Sequence, residues 1–306
     1  MTTGIRRRPA GGMLARGRPW LLLAPALAVL AGLLLWPLAR VVLLSFQDYG
    51  LSEIVSGPTS FLGFDNYAEV LADPILWTAA LPNTALFAAT AVAGTVVFGT
   101  LVAVLMAGLS PLWRGVVGTT IMIAWAMPAV TGTYVWIWIF DPDGGIVNRM
   151  LLALGLIDDP VNWFTHPVSF YGIVLLNVVH HGFPFVAITV LAGLLGISRE
   201  MLEAAEMDGA GPLRRFFQIV VPSLRQVFAI VIILSTIWDF KVFAQVYLMP
   251  GGSGSNREVL NLGVWSYVES FGQNRYGFGS AIAVLLTLLL LAISVVYVRT
   301  MLKEEK

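Results

Sequence analysis

Residues 198–222 read SREMLEAAEMDGAGPLRRFFQIVVP and form a polar stretch between two long apolar runs. Ser198 is of a residue type that caps helix N-termini, and Gly209 is of the type that most often ends a helix. Gly211 followed by Pro212 marks the start of a second helix, because the first helical position needs no N–H group. The stretch therefore predicts two short helices joined by a tight turn, projecting from the ends of two apolar helices.

Apolar residues dominate the rest of the chain. Of its 306 residues, 58% are apolar and 12% are charged, whereas soluble domains have about 45–50% and about 25%. A helix needs about 20 apolar residues to cross a membrane, and six runs reach that length with few charges: residues 20–46, 82–107, 116–140, 168–195, 227–248 and 278–298. We therefore expect an all-α membrane protein with six transmembrane helices, in which residues 1–19 form a cytoplasmic tail and residues 20–306 one domain.

The basic residues predict the orientation of these helices, because cytoplasmic loops carry an excess of Lys and Arg. With a cytoplasmic N-terminus, the outer loops hold only Arg149, Arg257 and Arg275. The inner side then holds Arg6, Arg7, Arg8, Arg16, Arg18, Arg114, Arg199, Arg214, Arg215, Arg225, Arg299, Lys303 and Lys306. Both termini are therefore expected in the cytoplasm, in a multi-pass protein of the inner (plasma) membrane. The first run also imitates a cleaved signal peptide, but it continues far enough to span the membrane, which favours an uncleaved anchor.

Composition and motifs exclude or disfavour several classes of function. The formal net charge of 0 leaves no basic surface for binding nucleic acid, and the absence of cysteine excludes thiolate metal sites and a cysteine nucleophile. His180 and His181 point in different directions on a helix and have no evident third ligand, so no metal site is expected. The sequence contains no phosphate-binding loop of the G-x-x-x-x-G-K-[ST] type, so any ATP must be hydrolysed by another polypeptide.

The polar stretch is too long for a simple connector, and a docking element for a soluble protein explains it better than an ordinary loop. Its spacing resembles the signature of the membrane-spanning permeases of binding-protein-dependent ABC importers: Glu-Ala-Ala, three residues, Gly, nine residues, Ile-x-x-Pro. Here the matching residues are Glu203, Ala204, Ala205, Gly209, Ile219 and Pro222. The carbohydrate branch of this family, related to maltose permeases, is also similar at residues 63–67, Asn83-Thr84, residues 182–185, residues 240–243 and Gly251-Gly252.

This resemblance implies a maltose-permease-like fold in which residues 198–222 form a loop that couples the permease to an ATPase subunit. It assigns ATPase docking to Glu203, Ala204, Ala205, Asp208, Gly209 and Ala210, and anchoring of the hairpin to Phe216, Ile219 and Pro222. It also implies the partners: a second homologous permease, two copies of a cytoplasmic ATPase that hold ATP and Mg, an external sugar-binding lipoprotein and membrane lipid. No catalytic, metal or cofactor site is expected in this chain.

Polar residues within the apolar runs mark the expected substrate pathway, because polar groups at membrane depth tend to face a cavity. Gly182 and Pro184 predict a broken fourth helix. Polar and aromatic residues of the fifth run share one stripe, and the family's maltose pocket is built from these two helices. The candidate pathway residues are Asn177, His181, Gly182, Phe185, Ser235, Trp238, Asp239, Lys241 and Gln245. As alternatives, Asp239 and Lys241 pair with neighbouring subunits or with each other, or Lys241 extends to the membrane interface.

The resemblance therefore predicts import of a sugar by alternating access. Its likeness to trehalose importers makes trehalose the first candidate, with maltose, maltodextrin and other oligosaccharides as alternatives. Glycerol 3-phosphate fits less well, because phosphate sites favour Arg and the deep spans offer only Lys241. An ion-coupled secondary transporter would require an inverted repeat, which is not evident, and an intramembrane enzyme would require a catalytic constellation, which the membrane His and Asp do not form.

Overall fold

A computed structural model describes residues 13–55 and 57–304, with side chains for residues 22–55 and 57–299. Most of the predicted tail, residues 1–12, lies outside the described residues. So do Arg6, Arg7, Arg8 and Lys306, which contribute to the predicted orientation. The first helix begins at Met13.

Within the described residues, the chain is mostly helical. The helices are α1 (Met13–Leu30), α2 (Trp36–Leu44), α3 (Leu51–Val55), α4 (Asp65–Ala72), α5 (Leu81–Ala107), α6 (Pro111–Trp125), α7 (Ala129–Ile139), α8 (Ile146–Ala153), α9 (Pro167–Leu195), α10 (Arg199–Met207), α11 (Pro212–Arg215), α12 (Val221–Ser223), α13 (Arg225–Phe240), α14 (Ala244–Leu248), α15 (Leu262–Tyr267) and α16 (Tyr276–Glu304). Shorter π-helical turns span Ala31–Leu35, Leu76–Ala80, Phe216–Val220 and Val268–Gly272, and a 3₁₀ turn spans Arg257–Val259. Strands β1 (Gln47–Asp48) and β2 (Ser60–Phe61) pair antiparallel, with Gln47 opposite Phe61 and Asp48 opposite Ser60.

Five stretches of the described chain are long and apolar enough to cross a membrane: Leu22–Leu44, Leu76–Ala107, Pro167–Leu195, Arg225–Leu248 and Tyr276–Arg299. They correspond to five of the six predicted runs. The other run, residues 116–140, forms two helices, α6 and α7, that are bent by 91° relative to each other. The helix is interrupted there because Pro128 has no N–H group with which to continue α6. This run counts as a sixth span if the bent pair crosses the membrane together.

The helix break that the sequence predicts in the fourth run lies in the fifth run. Helix α9 continues without interruption through Gly182 and Pro184, whereas α13 ends at Phe240 and α14 begins at Ala244. The amide Nδ2 of Asn261 donates to the carbonyl oxygen of Val242 at 2.7 Å. A broken helix at membrane depth is tolerated where a neighbouring residue forms hydrogen bonds with the backbone groups that the break leaves unpaired. Asn261 forms such a bond with the carbonyl oxygen of Val242.

Helices α5 and α9 contribute to both buried clusters of the bundle, and they run in the same direction, since Phe87 meets Tyr171 and Gly99 meets Val186. The buried face of α5 carries a small residue at every fourth position: Ala91, Thr95, Gly99 and Ala103. Small residues at this spacing let two helix backbones approach closely. A Cβ atom on Gly99 would lie 2.6 Å from Cβ of Val186, and one on Gly182 would lie 2.9 Å from Cγ2 of Thr95. Neither position has room for a larger side chain.

We expect Gly99→Ala to destabilise the protein. Insertion of a methyl group into a packed core costs about 1–3 kcal/mol, and here the methyl group would overlap Val186. Gly172→Ala, on α9, is the matched control, because no heavy atom of a neighbouring described residue lies within 4 Å of its Cβ position. Thermal denaturation of the purified protein in detergent should show a lower midpoint for Gly99→Ala only. Equal midpoints for the two variants would show that α5 and α9 are not tightly packed at Gly99.

The bundle has two ends, and we call the one that carries α10 the α10 end. At the opposite end, the side-chain amide of Asn83 donates to the carbonyl oxygens of Glu258 and Leu260, at 2.8 and 2.9 Å. The Leu262 N–H donates to Oγ1 of Thr84 at 2.9 Å. These bonds attach the loop between α14 and α15 to the start of α5, and they give Asn83 and Thr84 a structural role.

The first membrane-crossing stretch, Leu22–Leu44, lies at the edge of the bundle. None of its residues is buried, and its main packing is between α2 and α16. Large apolar side chains are exposed along it, including Leu22, Leu33 and Trp36. This surface therefore requires an apolar environment outside the chain itself.

Candidate functional site

The predicted hairpin is present at the α10 end, and Gly209 makes its turn. Ser198 occupies the N-cap position of α10, and Gly209 has a φ of +78°. The Gly209 N–H donates to the carbonyl oxygen of Glu206 at 3.0 Å, and the Ala210 N–H donates to that of Ala205 at 2.9 Å. These are the two bonds of a Schellman turn, which ends a helix through a left-handed residue. Glycine adopts this conformation without steric cost.

The tip of the hairpin is open to a partner. Helix α10 contains no buried residue, and no heavy atom of the described chain lies within 4 Å of a Cβ built on Gly209 or Gly211. Met207 and Leu213, on either side of the turn, are 87% and 75% exposed. These two apolar side chains and the uncovered turn between them are accessible to another protein. Sequence reasoning missed both residues, although Met207 is an apolar residue directly before the predicted turn.

The base of the hairpin is anchored differently from the expectation. Phe216 packs against a buried apolar cluster and Ile219 is half-buried, but Pro222 is exposed. Val220 and Leu224 are buried in that cluster instead. The reason is the π-helical turn Phe216–Val220, whose wider turn rotates the following residues relative to an α-helix. Pro222 borders a cavity together with residues of α5 and α13, and the anchoring role predicted for it stays a prediction.

A cavity of about 290 Å³ lies between the α6–α7 bend, α9 and the break after α13. It is lined by Trp125, Ala129, Val178, His181, Gly182, Trp238, Asp239, Val242 and Gln245. Five of the nine candidate pathway residues are therefore together in one cavity: His181, Gly182, Trp238, Asp239 and Gln245. Because their side chains include a carboxylate, an amide, an imidazole and an indole, the cavity can combine hydrogen bonding with ring contacts.

Aromatic rings form a continuous group beside this cavity. The Phe185 ring centroid lies 6.3 Å from that of Trp125 and 5.1 Å from that of Trp238. Phe185 therefore supports two cavity walls without lining the cavity. Sequence reasoning missed Trp125 and Ala129, because it treated the third run as one span and did not place the middle of that run at the cavity. The bend at Pro128 was the available signal.

The remaining three candidates lie outside the cavity lining. Asn177 is buried, and its Nδ2 donates to Oγ1 of Thr133 at 3.1 Å, which connects α9 to α7. Ser235 is buried on α13. Lys241 is exposed at the end of α13. Within the part of the chain that has described side chains, Lys241 forms no salt bridge with Asp239.

Asp239 is the polar group of the cavity that most lacks a partner. Its side chain is only 8% exposed, and its Oδ2 atom has no hydrogen-bond partner among the described residues. Burying an acceptor, and above all a carboxylate, is costly unless it is hydrogen-bonded. The carboxylate can therefore accept hydrogen bonds from a molecule that enters the cavity.

Three cavities of the described chain are larger than this one. In the cavity of about 400 Å³, the polar side chains of Asn83 and Tyr171 already donate to backbone carbonyl oxygens. The other two, of about 670 and 680 Å³, offer little polar chemistry. Each is lined mainly by apolar side chains and has one charged residue, Arg114 in the first and Arg225 in the second. The Arg114 guanidinium already donates to the carbonyl oxygens of Met106, Ala107 and Leu109 at the end of α5. The cavity of about 290 Å³ is therefore the better candidate for a polar ligand.

Residues 95–304 match the family described as binding-protein-dependent transport system inner membrane component. The chain is 39% identical to the diacetylchitobiose uptake system permease protein DasB of Streptomyces coelicolor, over 100% of this chain and 92% of that protein. It is 33% identical to the sulfoquinovosyl glycerol transport system permease protein SmoG of Agrobacterium fabrum, over 91% of this chain and 88% of that protein. It is 28% identical to the trehalose transport system permease protein SugA of Mycobacterium tuberculosis, over 93% of this chain and 88% of that protein.

The fold is also similar to a chain in the crystal structure of a bacterial ABC transporter that imports the acidic polysaccharide alginate. The TM-score is 0.77 at 20% identity, over 96% of this chain and 99% of that chain. A second crystal structure shows the bacterial alginate transporter in complex with a periplasmic protein bound to an alginate pentasaccharide. Its matching chain has a TM-score of 0.76 at 19% identity, over 94% of this chain and 96% of that chain. At these identities the likeness shows the fold alone, which is that of an ABC permease.

Proposed function

The chain belongs to the family of binding-protein-dependent inner-membrane transport components and is a permease of the carbohydrate ABC type, and from this premise we propose that it imports a disaccharide or short oligosaccharide using ATP hydrolysed by a partner. The observation that carries the proposal is the exposed hairpin of α10 and α11. Its turn is fixed by Gly209, and its tip presents Met207 and Leu213 to another protein.

The geometry of this hairpin supports a coupling role. The chain closes a Schellman turn at Gly209 and leaves the backbone around it uncovered, so a cleft on an ATPase can approach it closely. The roles proposed for Glu203, Ala204, Ala205, Asp208 and Ala210 rest on their positions along this surface. Residues Val220 and Leu224 would transmit its movement, because they are buried against α5 and α9.

A second permease subunit is part of the proposal. The cavity of about 290 Å³ is at the lower end of small-molecule sites, which measure about 300–1,000 Å³, so this chain would supply part of the pathway. The apolar surface of Leu22–Leu44 is also left without cover. Two ATPase copies would hold ATP and Mg, and an external sugar-binding lipoprotein would deliver the sugar.

In the proposed orientation, both termini and α10 face the cytoplasm of an inner-membrane complex. The support is the distribution of Lys and Arg in the sequence, thirteen on that side and three on the other. The sugar-loaded binding protein would dock at the end opposite α10. Closure of the ATPases would move the hairpins and open the pathway outward, and hydrolysis would return it to the inward-facing state.

Asp239 favours a substrate that donates hydrogen bonds and disfavours an anionic one, because its buried carboxylate lacks a partner and would repel a like charge. Trehalose and diacetylchitobiose both offer donors, and relatives of this chain are named for each. Maltose and maltodextrin are further candidates. Glycerol 3-phosphate is expected to be rejected.

The first test measures ATP hydrolysis by the complete complex in nanodiscs, with binding protein present. Trehalose, maltose, diacetylchitobiose and glycerol 3-phosphate would be compared at equal concentration. We expect a neutral sugar to stimulate hydrolysis and glycerol 3-phosphate to leave it at the basal rate. The proposed function would be contradicted if no ATPase subunit co-purified with this chain and no sugar stimulated ATP hydrolysis.

A further inference from the structure

Six aromatic side chains form a continuous series of ring contacts, which we call the aromatic ladder. Successive ring centroids lie 4.9–6.2 Å apart, within the range of favourable ring pairs. In spatial order the members are Phe243, Tyr247, Tyr267, Phe271, Tyr276 and Tyr49. The function proposed above uses none of them.

The backbone gives the ladder a direction. Phe243 and Tyr247 belong to the start and the end of α14, and Tyr267 and Phe271 to α15 and the π-helical turn that follows it. That segment packs beside the start of α16, where Oγ of Ser266 donates to the carbonyl oxygen of Gly279 at 2.8 Å. The ladder therefore runs from the break after α13 to the beginning of α16, at the end of the bundle opposite α10.

The inner end of the ladder reaches the cavity wall. Phe243 directly follows Val242 and lies two residues before Gln245, and both of these residues line the cavity. At the outer end, the N–H of Gly277, next to Tyr276, donates to the carbonyl oxygen of Tyr49 at 3.0 Å. No ladder residue lines the cavity itself, but the ladder begins at the residue next to Val242 in its wall, and its member Phe271 is exposed at the bundle surface.

The ladder has the chemistry of a sugar-binding surface. Tyr267 and Phe271 are 38% and 62% exposed, and Tyr49, Tyr247 and Tyr267 each carry a hydroxyl group that can donate and accept a hydrogen bond. Phe243 and Tyr247 pack against the buried core, whereas the exposed rings of Tyr267 and Phe271 are accessible to a ligand. A sugar offers C–H faces that pack on rings and hydroxyl groups that exchange hydrogen bonds with tyrosine.

We propose that the aromatic ladder is a second sugar-binding surface, along which the substrate moves from the end opposite α10 to the cavity. This inference rests on the proposed function of the chain as a sugar permease. Each ring offers a weak contact of the same kind as the next ring. A sugar can therefore move along the ladder by exchanging one ring contact for the next, without becoming tightly bound at any intermediate position.

The test replaces rings with branched apolar side chains in the complete complex, reconstituted in proteoliposomes with binding protein outside and ATP inside. The probe is the radiolabelled panel sugar that stimulates ATP hydrolysis most strongly. A ring contact contributes a factor of roughly five, so Tyr267→Leu with Phe271→Leu should lower kcat/KM for uptake about 25-fold. Tyr267→Phe keeps the ring and should recover most of the activity. Phe61→Leu is the matched control, because Phe61 is 77% exposed and lies off the ladder.

Three outcomes would overturn the inference. The first is uptake by the double variant equal to that of the Phe61→Leu control, because the rings would then not contact the sugar on its way. The second is loss of the second permease subunit from the double variant during size-exclusion chromatography, because the ladder would then be a subunit interface. The third is absence of uptake by the unmodified complex for every panel sugar, which would refute the proposed function itself and is distinguishable from the other two.

Discussion

Asp239→Asn is expected to lower sugar uptake about 5- to 12-fold and, at the same time, to raise the thermal midpoint of the empty complex. A hydrogen bond to a charged group contributes about 1.5–3 kcal/mol and one between neutral groups about 0.5–1.5 kcal/mol, so replacing the proposed sugar-binding carboxylate with an amide, which still accepts a hydrogen bond, is expected to cost about 1–1.5 kcal/mol. In the empty protein, the same carboxylate is buried and its Oδ2 has no partner within the described chain. Removal of its charge therefore relieves a desolvation cost.

The opposite signs of the two effects make this prediction specific. Replacing a residue that only supports the fold would lower both the stability and the activity of the protein. Replacing a binding residue that is costly to bury raises the stability and lowers the activity. Uptake assays and thermal denaturation of the same preparations provide the measurement. Asp158→Asn is the control, because Asp158 is exposed and lies outside the cavity. A fall in both quantities for Asp239→Asn would indicate that the carboxylate pairs with the second permease instead.

Gly209→Val is expected to reduce sugar-stimulated ATP hydrolysis about tenfold or more, while the basal rate of hydrolysis persists. Gly209 has a φ of +78°, and a β-branched residue is strongly disfavoured there. The turn would relax, and the bonds from the N–H groups of Gly209 and Ala210 would be lost. The hairpin would then no longer present Met207 and Leu213 in one orientation.

Two further variants separate backbone conformation from side-chain bulk. Gly209→Asn adds a side chain but retains access to the left-handed region, so stimulation should largely persist. Gly211→Val adds the same side chain as the test variant two residues later, where φ is −64° and the Cβ position is open. If all three variants lose stimulation equally, bulk at the docking surface is responsible and the turn geometry is not.

The membrane-spanning helices and the hairpin could be predicted because their signals are local. Long apolar runs gave five spans within a few residues of their observed bounds, and Gly209 and Pro212 marked the end of one short helix and the start of the next. Each of these signals lies in the residues that adopt the structure. The spacing of the Glu-Ala-Ala motif identified the family for the same reason.

The errors arose where distant residues determine the backbone. The break between α13 and α14 is stabilised by a hydrogen bond from Asn261 to Val242, which lies 19 residues earlier. No residue close to Val242 in the sequence indicates that bond. Pro184 sits in a helix that stays continuous, and Pro128 lies at a bend of 91°. The two prolines differ in their tertiary packing, and single-sequence reasoning does not contain that packing.

The cavity was half predictable for a related reason. The residues on α9 and α13 were found by their polarity at membrane depth, and His181, Trp238 and Asp239 do line one cavity. The wall formed by Trp125 was missed because it depends on the bend in the third run. Asn177 and Ser235 are equally polar but are buried outside the lining. Polarity alone therefore did not separate a lining residue from one that connects helices.

The measurement that tests the central claim most directly is sugar uptake by the reconstituted complex, with the energy source controlled on each side of the membrane. Proteoliposomes would contain either ATP with Mg or no nucleotide, with sugar outside and binding protein either present or absent. A separate set without nucleotide would carry an imposed proton or sodium gradient. We predict accumulation of the sugar only when ATP is inside and binding protein is outside. Accumulation driven by a proton or sodium gradient without ATP would contradict the account and identify the chain as an ion-coupled transporter.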